Sequence, residues 1–276
     1  MKPGAMIMAR VRETIREELF PRGCALCGKA LYGETPFGAN AFYGLCGSCR
    51  ELLSVPAAER GRCSLCGQPL VSERETCVPC RTGPARSFDR ILPLFPYAGK
   101  YQKILAAYKF EKRLSLGNFF AEKLRQGLET LLNPGTPLTA AGGEAGTARA
   151  GNAQGMAERA WVPVPPRPGK IKQKGWDQIE YLAGLLEGPL GSPLPVRRCL
   201  ARLPSESQKE LKKENRLLNL KGRIIVKRTA RASRAVPKTA ILFDDVYTTG
   251  TTMDACACAL KSGGAEKVYG ICLCYD

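Results

Sequence analysis

Histidine is missing from this sequence of 276 residues. Any zinc site must therefore use cysteine thiolates or carboxylates, and no imidazole is available as a general base. The sequence also lacks an apolar run of about 18 residues, the length that a membrane-spanning helix needs. Charges at Arg10, Arg12, Glu13 and Arg16 interrupt any apolar core of a signal peptide. We therefore predict an amphipathic helix over residues 1–20, no transmembrane segment and a cytoplasmic location.

Acidic residues are few relative to basic ones. The chain has 25 Asp and Glu against 42 Lys and Arg, which gives a formal net charge of +17. Such an excess predicts attraction to polyanions, a class that includes nucleic acids, anionic membrane surfaces and phosphorylated small molecules. The segment 221–238 is basic and contains no acidic residue. A nucleic-acid contact and a solvated basic loop are the two interpretations of that segment.

Cysteine, by contrast, is abundant, with 13 residues. Without an export signal, this number indicates a reducing compartment in which thiols serve metal binding or packing. Eight of the cysteines form four CxxC pairs. Each CxxC turn brings two thiolates to one ion, so two turns complete a tetrahedral site and four turns predict two zinc ions. The pairs are Cys24 and Cys27, Cys46 and Cys49, Cys63 and Cys66, and Cys77 and Cys80.

The four pairs can be grouped in two ways. We favour sequential grouping, in which the first two pairs hold one ion and the last two hold the other, and an interleaved grouping is the alternative. A redox role is disfavoured because a redox CxxC lies in a thioredoxin-like βαβ context. Four-thiolate sites are closed to substrate, so the predicted zinc is structural.

Strand and helix patterns alternate after Phe88, which predicts an α/β fold with a parallel sheet. A segment rich in Gly, Ala and Thr, residues 133–160, predicts a disordered insertion. The predicted organisation is a helix at 1–20, a double zinc module at 21–87 and an α/β domain at 88–276. The main predicted strands and helices cover residues 91–97, 101–110, 120–132, 161–164, 176–186 and 268–275.

The segment 239–254, TAILFDDVYTTGTTMD, predicts a ligand site. A buried strand over residues 241–243 ends at Asp244 and Asp245, and a turn then leads into a helix. Hydroxyls and backbone N–H groups at a helix N-terminus favour a phosphate. Neighbouring carboxylates suit ribose hydroxyls or Mg²⁺-bound water, so the pattern predicts a sugar phosphate. A capped helix without a ligand is the alternative. The predicted phosphate-binding residues are Thr248, Thr249, Gly250, Thr251 and Thr252.

This segment resembles the signature of type I phosphoribosyltransferases, which bind 5-phosphoribosyl pyrophosphate (PRPP). The resemblance implies that Asp244 and Asp245 contact the ribose hydroxyls and Mg²⁺, and that the threonines bind the 5-phosphate. A second segment, residues 161–178, places a strand before a basic loop that fits a pyrophosphate at the carboxyl edge of the sheet. By itself it is also typical of a solvated loop. Its basic residues are Arg167, Lys170, Lys172 and Lys174.

Four features in this order resemble the ComF family of competence-associated proteins: the CxxC pairs, YAGKYQKILAAYKFEKR, WVPVPPRPGKIKQKGWDQ and ILFDDVYTTGTT. The family joins a zinc ribbon module to a phosphoribosyltransferase-like domain. Asp177 stands where relatives commonly have Asn, and we expect the added carboxylate to weaken ligand binding at the basic loop. The family's middle motif is matched by Gln208, Glu214, Asn215, Arg216 and Asn219.

The resemblance implies three alternative functions. The first is a PRPP-binding adaptor in DNA uptake or DNA processing, with single-stranded DNA and DNA-uptake proteins as partners. The second is an active phosphoribosyltransferase, which would transfer 5-phosphoribosyl from PRPP to an unknown acceptor. The third is a zinc protein that binds nucleic acid and has a vestigial ligand site. The expected cofactors are two structural zinc ions, and Mg²⁺ together with PRPP.

Overall fold

A computed structural model describes residues 23–31, 43–53, 61–132, 158–188, 192–204, 223–227 and 235–276. The predicted helix over residues 1–20, the family's middle motif and most of the predicted insertion lie outside these described residues. In chain order the elements are α1 (Gly47–Leu52), α2 (Val78–Thr82), β1 (Arg90–Pro96), α3 (Gly99–Lys109), α4 (Ser115–Leu132), β2 (Arg159–Pro163), α5 (Lys170–Lys174), α6 (Gln178–Glu187), β3 (Leu200–Arg202), β4 (Ile224–Val226), β5 (Thr239–Tyr247), α7 (Thr251–Ser262) and β6 (Lys267–Tyr275).

Four of the strands form one sheet in the order β1-β6-β5-β2, and all neighbouring pairs are parallel. The predicted α/β class with a parallel sheet is therefore confirmed. Most residues of the central strands β5 and β6 are buried, as expected where helices cover both faces of a sheet. Strands β3 and β4 form a separate antiparallel pair.

The chain divides into two compact units, and each contains four of the paired cysteines. The first unit comprises Met1–Ser54 and Ala98–Phe120, and the second comprises Val55–Tyr97 and Ala121–Asp276. The whole four-stranded sheet belongs to the second unit. Among the described residues, no helix is both long and apolar enough to cross a bilayer.

Helix α3 contributes much of the buried apolar surface in the described part of the first unit. Its apolar residues recur at helical spacing, and Tyr101, Ile104, Leu105 and Tyr108 are all buried. The ring of Tyr108 packs against Phe120 with centroids 5.3 Å apart. Three Lys and Arg side chains of the first unit donate hydrogen bonds to backbone carbonyls near its cysteines. The donors and acceptors are Lys100 Nζ to Leu52 O, Lys103 Nζ to Leu26 O and Arg113 Nη1 to Gly23 O.

The core of the second unit surrounds its sheet. Trp161 of β2 meets Phe243 of β5 edge to face, with ring centroids 5.7 Å apart. Gly270 of β6 has no room for a side chain, because a Cβ there would lie 2.4 Å from Ile91 Cδ1 and 2.5 Å from Met253 Cε. Strand β6 therefore approaches its neighbours closely, and the sheet is tightly packed around this position.

Candidate functional site

The first four cysteines combine a tight turn with the start of a helix. Cys24 and Cys27 lie on a turn in which the Gly28 N–H donates to the Cys24 carbonyl over 2.9 Å. Gly28 has a φ of +79°, a conformation that glycine adopts without strain. Cys46 is the N-cap residue of α1, and Cys49 lies in the first turn of that helix. We call this set cluster 1.

The other four cysteines repeat this arrangement. Cys63 and Cys66 lie on a turn closed by Gly67, whose N–H donates to the Cys63 carbonyl over 2.9 Å and whose φ is +70°. Cys77 is the N-cap residue of α2, and Cys80 lies within that helix. We call this set cluster 2. The structure thus groups the cysteines sequentially and not in the interleaved alternative.

The donor atoms of each cluster fit one tetrahedral zinc ion. Within each cluster, the four Sγ atoms all lie within 4.8 Å of one another. The Cys27–Cys46 and Cys66–Cys77 sulfur distances are 3.8 and 3.6 Å. Zn–S bonds of about 2.3 Å place tetrahedral sulfurs about 3.8 Å apart. The residues therefore fit two structural zinc ions, and each cluster supplies all four ligands.

The thiols of each cluster differ in how readily they ionise. Burial alone would raise the pKa of Cys24 and Cys63, but donation from backbone N–H groups lowers these pKa values to about 6 and about 7. Burial and the neighbouring thiols raise the pKa of Cys49 and Cys66. Each site therefore has one thiol that ionises readily beside one that resists ionisation, and a divalent cation removes this conflict.

The predicted acidic pair lies inside a strand rather than after its end. Strand β5 continues to Tyr247, and Asp244 pairs in register with Cys272 of β6. The expectation that the strand ends before the acids was wrong, because the neighbouring strand β6 extends the hydrogen-bonded ladder past them. Asp245 is only 8% exposed, whereas Asp244 is half-buried and accepts a 2.8 Å hydrogen bond from the Asp245 N–H.

The acidic pair and the basic loop lie at the same edge of the sheet. Strands β2 and β5 are parallel neighbours, with Pro163 opposite Phe243. The Val164 N–H then donates to the Phe243 carbonyl over 3.1 Å. The basic segment that follows β2 therefore starts beside Asp244, the residue after Phe243.

Helix α6 links the two groups through polar side chains. Gln178 Nε2 donates to Asp245 Oδ2, and Lys170 Nζ donates to Gln178 Oε1. Lys170 also forms an ion pair with Asp177, whose other carboxylate oxygen caps α6 by accepting from the Ile179 and Glu180 N–H groups. The carboxylate of Asp177 is thus neutralised and has a structural role. Lys170 is engaged in this network. Arg167 is exposed before α5, and Lys172 and Lys174 are exposed on α5 rather than on a loop.

Residues 248–252 form a loop that leads into α7, and we call it the threonine loop. Gly250 is the N-cap residue of α7 and has a φ of +74°. The hydroxyls of Thr249 and Thr251 lie 2.8 Å apart. Thr248 and Thr249 are exposed, and Thr251 and Thr252 are partly exposed. Together with the helix start, these groups can present N–H and hydroxyl donors to an anion.

Two arginines near these groups were not predicted from the sequence. Burial lowers the pKa of Arg202, on β3, and the charge of Arg167 lowers it further while Asp244 opposes this effect. Arg202 therefore lies in the electrostatic field of both halves of the predicted site. Arg86 donates to the Thr249 carbonyl over 3.3 Å. Neither arginine belongs to a recognisable motif, so only the three-dimensional arrangement reveals them.

Comparisons with known proteins agree with this architecture. Residues 15–81 match the double zinc ribbon domain family. The competence protein ComFC of Bacillus subtilis (strain 168) is 26% identical over 235 residues, which is 83% of this chain and 83% of that protein. The cysteine clusters, the ribbon match and the similarity along most of the chain support the assignment of this protein to the ComF family.

Proposed function

We propose that the chain binds PRPP together with Mg²⁺ at the carboxyl edge of β2 and β5. The observation that carries this proposal is the pairing of these two strands, which brings the acidic pair and the basic loop together. An open α/β sheet binds ligands at this edge. PRPP has adjacent ribose hydroxyls between a phosphate and a pyrophosphate. This arrangement matches an acidic pair that has the threonine loop on one side and the basic residues on the other.

Each part of the ligand has a matching part of the site. The carboxylates of Asp244 and Asp245 would accept hydrogen bonds from the ribose hydroxyls and hold Mg²⁺-bound water. The threonine loop would receive the 5-phosphate at the start of α7. Arg167 and Arg202 would face the pyrophosphate, whose charge would relieve the repulsion between the two guanidinium groups.

Calorimetric titration with PRPP and Mg²⁺ tests this proposal. We expect Asp244→Asn combined with Asp245→Asn to abolish detectable binding, because the amides no longer offer the two carboxylates. Glu129→Gln, at an exposed position of α4, is a matched control that should bind as the parent does. Equal binding by the double variant and the parent would refute the assignment of these acids to the ligand.

Transfer chemistry is a separate outcome of the same experiment. In an active enzyme, an acceptor displaces pyrophosphate from C1 of the ribose. Positioning and electrostatic stabilisation supply the catalysis, so the lack of histidine is no obstacle. Pyrophosphate release that depends on one member of a panel of acceptors would assign an activity. Binding without release from any acceptor would favour a regulatory or structural role for PRPP.

We further propose that the protein acts in DNA uptake and binds single-stranded DNA without sequence preference. The similar Bacillus subtilis protein is described as a competence protein, and the chain carries a net charge of +17. Binding through phosphate contacts releases counterions, so a log-log plot of affinity against salt should have a slope near −0.7 for each neutralised phosphate. Fluorescence anisotropy at several salt concentrations checks this. Absence of binding at about 50 mM salt would refute the DNA-adaptor role.

A further inference from the structure

The segment that follows cluster 2 contacts the threonine loop directly. Arg86 Nη2 donates to the Thr249 carbonyl over 3.3 Å. The next residue, Ser87, donates its backbone N–H to Asp254 Oδ1 over 2.6 Å. Asp254 is buried in the first turn of α7. Two adjacent residues therefore hold both the loop and the helix start that follows it.

Arg86 is held in place by its surroundings. Its guanidinium lies over the Phe88 ring, 6.0 Å from the centroid. Among the described residues, its Nε atom is buried without a hydrogen-bond partner. Such a donor is costly unless an oxygen reaches it, and an anion or water beside the threonine loop would supply one. The side chain is thus fixed next to the loop with donor capacity remaining.

Tyr247 supports the same loop from the protein interior. A Cβ atom on Gly250 would lie 2.4 Å from the Tyr247 hydroxyl oxygen, so the loop backbone rests directly on this side chain. Tyr247 is 3% exposed and belongs to the same buried cluster as Cys63, Cys66 and Cys77. The packing therefore continues from cluster 2 through Tyr247 to Gly250.

Cluster 2 is itself fixed to the sheet. The Ile91 N–H of β1 donates to the Leu65 carbonyl over 2.8 Å, between the two cysteines of the turn. Gly67 packs so closely on β1 that an added Cβ would lie 2.6 Å from the Ile91 carbonyl oxygen. These contacts, like those of the threonine loop, all lie within one compact unit.

We propose that the zinc ribbon around cluster 2 positions the threonine loop for anion binding, with Arg86 as the positioning residue that connects them. Zinc at cluster 2 is then required for the conformation of the loop, and zinc at cluster 1 is not. The choice of PRPP as the probe ligand rests on the proposed function. The loop conformation can be measured without any ligand, so a failure of the two proposals can be distinguished.

The test compares Cys80→Ser with Cys46→Ser. Both cysteines are partly exposed, and each is one of four ligands in its cluster. We expect each variant to lose one zinc ion by metal analysis. Only Cys80→Ser should increase hydrogen exchange at the amides of residues 249–256 and weaken PRPP binding, by about tenfold or more. Similar exchange increases in both variants, or in neither, would overturn the proposal.

A second variant keeps the test decisive if Cys80→Ser fails to fold. Arg86→Ala leaves all eight ligands in place and should retain two zinc ions with an unchanged circular dichroism spectrum. We expect faster exchange at residues 249–256 and a loss of PRPP affinity of about tenfold, the size of one charge-assisted hydrogen bond. Arg86→Lys should recover part of both. Unchanged exchange in Arg86→Ala would overturn the role of this residue, whether or not PRPP binds.

Discussion

The two cysteine clusters have the same local geometry and very different surroundings. In both, a turn closed by glycine supplies two thiols and a helix start supplies two more. Around cluster 1, exposed Lys and Arg side chains hold individual carbonyls. Cluster 2 instead shares a buried core with Ile91, Tyr247 and Met253. A zinc ribbon is thus a local motif whose importance to the rest of the chain depends on what it packs against.

The largest expected difference follows the removal of one buried ligand from each site. Cys66→Ser should lower the free energy of unfolding of the second unit by roughly 4 kcal/mol or more. The loss of a metal is among the few single changes with effects of this size. Cys49→Ser should leave the unfolding of that unit nearly unchanged. Near-ultraviolet circular dichroism during urea unfolding, which follows the buried Trp161 of β2, provides the measurement. Equal losses in the two variants would contradict the comparison.

An intermediate difference is expected at the glycines that close the two turns. Gly28 and Gly67 have similar positive φ values of +79° and +70°. A Cβ at Gly28 meets nothing within 4 Å, whereas one at Gly67 lies 2.5 Å from Pro93 Cδ. Gly28→Ala should therefore cost only the strain of the left-handed conformation, about 1 kcal/mol, and Gly67→Ala about 3 kcal/mol.

Zinc release to a chromogenic chelator compares the two glycine variants directly. Gly67→Ala should release one of its two zinc ions much faster than the parent protein does. Gly28→Ala should show only a modest increase in the release rate. A faster release from Gly28→Ala would mean that packing against β1 does not distinguish the two turns.

The smallest difference is expected at two arginines that hold ribbon carbonyls. Arg62 Nη1 donates to the carbonyls of Gly67 and Pro93, and its guanidinium lies 5.3 Å from the centre of the Tyr275 ring. Arg113 Nη1 donates to the Gly23 carbonyl at an exposed position. Arg62→Ala should cost about 2 kcal/mol and Arg113→Ala about 0.5 kcal/mol. Urea titrations give both values, and the reverse order would contradict the structural difference.

Spacing in the sequence predicted the parts of the molecule that depend on local chemistry. The four CxxC pairs predicted two closed thiolate sites, and the structure brings the eight sulfurs together in two groups. The apolar residues before Asp244 and before the basic loop predicted two parallel strands, and β2 and β5 are indeed neighbours. These features follow from short patterns in which each residue type has one dominant role.

Features that depend on contacts between distant segments could not be predicted in this way. Strand β5 extends to Tyr247 because β6 continues to pair with it. The sequence also did not show that Asp177 caps α6 and pairs with Lys170. The contact of Arg86 with Thr249 joins residues far apart in the chain. No pattern within a short window contains this information.

The strand order also determines when the strands can pair during synthesis. Strand β6 lies between β1 and β5, although among the described strands its residues are the last to leave the ribosome. Until residues 267–275 have been made, β1 has no partner in the sheet and its apolar edge stays open. Cluster 2 precedes β1 and needs only residues up to Cys80 to bind its ion. Metal binding can therefore fold the ribbon early. Leu65 and Gly67 can then contact β1 before β6, its partner in the sheet, has been synthesised.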